Sequence, residues 1–113
     1  MRDERSDPLT ISIERGDTRL IVTPVGEIDL STSPKLRQSL QTALADGDTP
    51  VIVDLAEVPY MDSSGVATLV EALQICRRQQ RELVLARLSS RVASIFKISK
   101  LDTVFTIRDD LGC

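Results

Sequence analysis

The sequence has no histidine and no tryptophan, and its aromatic residues stop at Tyr60, Phe96 and Phe105. Without histidine, the usual general base of hydrolytic chemistry is missing. Cys76 and Cys113 are the only cysteines and make no C-x-x-C spacing, which argues against a disulfide framework or a cysteine metal site. A reducing, cytoplasmic setting is the expectation. The formal net charge of −3 argues against a nucleic-acid binder that works by phosphate neutralisation. No apolar run approaches the ~20 residues of a transmembrane helix, so membrane insertion is not expected. With aromatics scarce, Leu, Ile and Val must build the core, which suits a sheet with helices on it. The length of 113 residues allows one such core.

Met1–Pro8 is charged, is followed by no signal-type apolar segment, and reads as a disordered lead-in to a single domain over residues 9–113. Leu9, Ile11 and Ile13 alternate with polar residues, and Leu20–Val22 resumes the strand pattern after Arg15-Gly16-Asp17. A hairpin explains that tripeptide better than an adhesion signal does. Ser33 is placed as the cap of a first helix with Pro34 at its first position, and Gly47 as its stop. Val51–Val53 reads as a buried central strand. A second helix follows Gly65, with Arg77, Arg78 and Arg81 suiting its C-terminal end. Leu83–Leu85 is a strand, Ser89 or Ser90 caps a third helix, and Val104–Ile107 is a final strand. Two antiparallel strands followed by alternating strands and helices predict an α/β fold, a mixed sheet of about 4–5 strands with helices packed on it.

Several chemistries fail on residue type. A nucleophile elbow needs Gly-x-Ser-x-Gly, whereas Met61-Asp62-Ser63-Ser64-Gly65 supplies only the second glycine. A serine–lysine pair would have to recruit Lys97 or Lys100 from another element. Asp54 at a strand end suggests a receiver phosphoacceptor, but Glu14 stands alone where an acidic pair is needed and the last strand lacks a lysine. Asp46-Gly47-Asp48 is too short for a calcium loop. No phosphate-loop motif is present, so neither cofactor nor metal is expected, and the chain is not expected to be an enzyme. The seven basic residues between Arg77 and Lys100 read mainly as a solvated helix face.

What remains is a serine pair where a strand hands over to a helix N-terminus, a place that tolerates anionic groups. Ser63 or Ser64 can serve simply as the helix cap with help from Asp62, while Gly65 permits close approach. An exposed cap serine is also accessible to a kinase, and phosphate there adds ~1.5–2 negative charges that a docked partner would have to accommodate.

From about Leu9 to Ile107 the chain resembles a STAS domain, specifically the bacterial anti-sigma factor antagonists. The resemblance rests on Val51 to Leu69 with its Met-Asp-Ser-Ser-Gly, on Gly26-Glu27-Ile28-Asp29, and on Ile95 to Phe105, in that family's order. It implies a phosphorylation-controlled binding module. In such antagonists the serine after the Asp of the motif, here Ser63, is phosphorylated by a partner that is both kinase and anti-sigma factor, with a histidine-kinase-like ATPase fold. Unphosphorylated antagonist binds that partner and frees the sigma factor; phosphorylated antagonist lets go, and a PP2C-type phosphatase resets it. Asp62, Ser64 and Gly65 support the site, Ser64 being the alternative acceptor, and Glu27 and Asp29 contribute to the partner surface. STAS domains also serve as non-enzymatic subunits of lipid-type ABC transport complexes, which is the alternative reading. After Ile107 only Arg-Asp-Asp-Leu-Gly-Cys follows, so the family's closing helix is expected to be short or absent.

Overall fold

The hairpin sets the edge of the sheet. In a computed structural model that describes residues 8–111, strand β1 (Leu9–Arg15) pairs antiparallel with β2 (Leu20–Gly26), from Leu9 opposite Gly26 to Arg15 opposite Leu20. The Gly16 N–H donates to the Arg19 carbonyl at 2.9 Å and closes the turn. The expected lead-in, Met1–Pro8 apart from Pro8, and Cys113 lie outside the described residues.

Each later strand is added parallel to the one before it. Helix α1 (Ser33–Ala43) leads to β3 (Val51–Asp54), α2 (Ser63–Arg78) to β4 (Leu83–Ala86), and α3 (Ser90–Ile98) through a 3-10 turn to β5 (Thr106–Arg108). The five strands lie in sequence order, with β3 at the centre. Because the winding never reverses, successive crossovers fall on one face of the sheet. Leu36 and Leu40 of α1, Leu69 and Leu73 of α2, and Val92 and Phe96 of α3 pack with Leu20, Val22, Val51, Val53, Leu83 and Leu85 in one core. Phe96 meets Phe105 edge-on with ring centroids 5.4 Å apart. On the opposite face Ile52, Val84 and Ala86 form a second, small cluster with Ile21 and Leu111, and among the described residues no helix covers it.

Several boundaries differ from expectation. Helix α1 begins at Ser33, with Thr32 rather than Ser33 at the cap position and Pro34 in the first turn. It ends on Leu44, so Gly47 belongs to the following loop and does not stop the helix. Arg81 lies beyond α2 and is buried, its guanidinium donating to the carbonyls of Thr49 (2.8 Å) and Asp46 (3.1 Å). It therefore ties the two loops at the N-terminal rim of the sheet and is not the solvated helix end that the pattern suggested. The last strand starts at Thr106, because Phe105 turns inward to reach Phe96.

Candidate functional site

The second and third strands end at the same rim, and main-chain bonds sew the segments after them together. Gly26 N–H donates to the Glu57 carbonyl, Ile28 N–H to the Tyr60 carbonyl and Asp62 N–H to the Ile28 carbonyl, each at 3.0 Å. Ile28 and Met61 thus form an isolated parallel bridge, and both side chains are fully buried. The Gly26–Asp29 segment therefore lies directly beside the Met61–Gly65 turn, as the family resemblance implies. Gly26 adopts φ +127°, and a Cβ there would stand 2.3 Å from the Pro8 carbonyl oxygen, so glycine is required where the chain leaves β2.

Helix α2 starts two residues before Gly65, and its cap is Asp62 rather than either serine. The Asp62 carboxylate accepts from Ser64 N–H at 2.9 Å, from Gly65 N–H at 3.4 Å and from the Ser64 hydroxyl at 2.5 Å. These bonds, the Ser64 hydroxyl foremost, together with the backbone of Leu30, hold the carboxyl below its ordinary range against the opposing effect of desolvation. Asp29 does the same work one segment away. Its carboxylate accepts from the Ser31 hydroxyl at 2.7 Å, from Ser31 N–H at 2.9 Å and from Thr32 N–H at 3.1 Å, and the Ser31 hydroxyl leads in pulling its pKa down. Glu27 is exposed beside it. Two ionised carboxylates thus flank the turn, each already engaged in holding its own backbone.

The two serines are not equivalent. Ser64 is half-buried, and its hydroxyl is committed to Asp62. Ser63 is exposed, and among the described residues its hydroxyl makes no hydrogen bond. Gly65 is buried against the bridge: a Cβ would lie 2.5 Å from Met61 Cγ and 2.7 Å from Ile28 Cγ2. The helix can start this close to the bridge only on a glycine, which presents Ser63 outward at the first residue of α2.

Ser63 opens on to a cleft of about 410 Å³ lined by Tyr60, Met61, Asp62, Val66, Ile95 and Ser99. The third helix is the element that sequence reasoning left out of the site. Ile95 packs against the edge of the core, is only partly buried and forms the cleft wall. Ile98, three residues after Ile95 on the same helix, is 82 % exposed. Leu30, on the neighbouring segment, is 78 % exposed. Arg91, one turn before Ile95, rests its guanidinium 5.9 Å from the centre of the Tyr60 ring.

Asp54 is no free phosphoacceptor. Its carboxylate takes a two-pronged bond from Arg87 (Nη2 at 2.5 Å, Nε at 3.1 Å), which lowers its pKa, and the side chain is almost closed to solvent. Cys76 is buried in the core, and burial pushes its thiol up. Among the described residues no cluster of carboxylates and cysteines is arranged to hold a metal ion, and no helix is long and apolar enough to cross a membrane.

Comparison with known proteins bears on this arrangement. Residues 10–112 are matched by the family model described as STAS domain. Over 105 residues the chain is 36% identical to an anti-sigma-B factor antagonist of Listeria monocytogenes, covering 92% of each. An anti-sigma factor antagonist from Mycobacterium paratuberculosis superposes with a TM-score of 0.83 at 23% identity, over 91% of this chain and 87% of that one. The Bacillus cell fate determinant SpoIIAA in its phosphorylated form superposes with a TM-score of 0.70 at 19% identity, over 90% and 93%. These two structural likenesses show the fold.

Proposed function

Because the chain belongs to the STAS domain family, we propose that it is an anti-sigma factor antagonist switched by phosphorylation of Ser63. The observation that carries this reading is the difference between the two serines: Ser63 is exposed with an unengaged hydroxyl, and Ser64 is held by Asp62. A kinase can reach the first without dismantling the cap and cannot use the second without breaking it. The chain acts by binding and performs no chemistry of its own.

The partner is an anti-sigma factor that is also a serine kinase with a histidine-kinase-like ATPase fold, and a PP2C-type phosphatase removes the phosphate. The cleft beside Ser63, with Tyr60, Val66 and Ile95 in its walls, offers that partner apolar surface. Glu27, and the oxygen of Asp29 turned away from its capping bonds, give the rim its charge. A phosphate of ~1.5–2 charges at the centre of such a contact must be desolvated against apolar groups. Loss of at least 100-fold in affinity, about 2.7 kcal/mol, is the expected result. The α2 N-terminus carries the same charge without cost to the fold.

Calorimetric titration of the anti-sigma kinase with wild type, Ser63→Ala and Ser63→Glu tests the reading, alongside phosphotransfer from ATP. Ser63→Ala should bind as wild type does, accept no phosphate and stay bound in the presence of ATP. Ser63→Glu should bind weakly while melting within a degree or two of wild type. If Ser63→Ala is phosphorylated as fully as wild type, the acceptor is another residue.

A further inference from the structure

The basic residues between Arg77 and Lys100 looked like one positive stretch, and the fold divides them among different tasks. Arg81 is spent on the carbonyls of Thr49 and Asp46, and Arg87 on Asp54. Outside that stretch, Arg37 is bound to Glu71 at 3.0 Å. Arg77 and Arg78 sit in the last turn of α2, at the opposite end of the helix from Ser63. Arg91 differs from all of these. It is exposed, and its one recorded interaction among the described residues is with the Tyr60 ring.

That ring is a wall of the cleft on to which Ser63 opens. Arg91, Ile95 and Ser99 recur at a spacing of four along α3 and its C-cap, which stacks them on one helix face. Ile95 and Ser99 line the cleft with Ser63, and Arg91 stands one turn further along the same face. A phosphate on Ser63 would enter a neighbourhood that already holds the Asp62 and Asp29 carboxylates. The α2 N-terminus offsets them only in part.

We infer that Arg91 is the internal counter-ion of a phosphate on Ser63, its guanidinium moving from the Tyr60 ring to the phosphate across the mouth of the cleft. An exposed cation–π contact holds guanidinium weakly. A phosphate dianion offers it two parallel charge-assisted hydrogen bonds, a geometry that arginine matches and lysine does not. The consequence is a phosphorylated state in which the cleft is closed by the protein's own arginine as well as being charged. The inference rests on Ser63 as the modified residue, but its test requires no kinase.

Phosphoserine is installed at position 63 during translation, and its second ionisation is followed by 31P NMR titration in wild type, Arg91→Gln, Arg91→Lys and Lys97→Gln. Arg91→Gln should raise the phosphate's second pKa by about half a unit, roughly a threefold gain in proton affinity. Arg91→Lys should fall between wild type and Arg91→Gln, and Lys97→Gln should match wild type. The Tyr60 ring protons should shift on phosphorylation of wild type and stay in place in Arg91→Gln. An unchanged pKa in Arg91→Gln overturns the inference, as does an equal rise in Lys97→Gln, which would mean diffuse charge and no specific partner. Because the phosphate is installed independently of any kinase, either result leaves the phosphotransfer test of Ser63 standing on its own.

Discussion

Replacing Asp62 separates two things that one side chain does at the start of α2. As the cap it accepts the N–H groups of Ser64 and Gly65, and as a charge it faces the positive end of the helix. Asp62→Ala removes both and also releases the Ser64 hydroxyl, which is half-buried and can turn to water. Loss of an N-cap costs about 1 kcal/mol, with 2 as an upper value. The helix-end charge contributes a few tenths more at this largely solvated position. The expected destabilisation is therefore about 1.5 kcal/mol, or a fall of ~5 °C in melting temperature for a domain of this size. Asp62→Asn keeps an acceptor of equal capping quality and loses only the charge, so about 0.5 kcal/mol is expected. The pH dependence follows from the direction of the shift. The folded-state pKa of Asp62 is depressed, so its charge-linked stability is complete above the unfolded aspartate value near ~3.9 and is lost as pH falls through the folded value. Urea unfolding at pH 7 and again near pH 3 measures both parts. The gap between wild type and Asp62→Asn should close on acidification, while part of the gap to Asp62→Ala persists. If Asn and Ala cost the same at neutral pH, the acceptor geometry is irrelevant and the account of the cap is wrong.

Two further outcomes follow from packing and charge at the same rim. Gly65→Ala forces a methyl against Met61 and Ile28, both fully buried, and should cost ~1–3 kcal/mol in chemical denaturation while shifting the amide signals of Ser63 and Ser64. A variant as stable as wild type with unmoved amides would refute the close approach. Arg87→Gln leaves the nearly closed Asp54 carboxylate without its ion partner, so its titration, followed by carboxyl 13C NMR, should move upward. Since pairing depresses the folded pKa of Asp54, the lost stability should be full near neutrality and shrink as pH falls below ~4, and a difference independent of pH would contradict it.

The strands and helices were legible because β-branched alternation and apolar recurrence are local properties, and the Met61–Gly65 turn was legible as a strand-to-helix junction. Which of Asp62, Ser63 and Ser64 caps the helix was not, since aspartate and serine both cap well and only the tertiary bridge decides where the helix begins. Arg81 misled for a similar reason. A basic residue near a helix end satisfies the dipole rule, and nothing local reveals that two loops converge on it. Phe105 left the last strand because its ring has a partner, Phe96, on another element. The α3 wall of the cleft was illegible for the same cause. Residues 60 to 66 and 91 to 99 meet only once the chain has crossed the sheet again.

The seam between Ile28 and Met61 is made of main-chain atoms, and only its two inward side chains are confined. The outward positions on either side of it, Glu27, Leu30 and Tyr60, are free of that duty. Substitution at these positions can rewrite what the rim presents without loosening the turn that holds Ser63. Descendants of one such chain can therefore change what this surface offers by drift at a few outward positions, while the turn beneath Ser63 stays where it was.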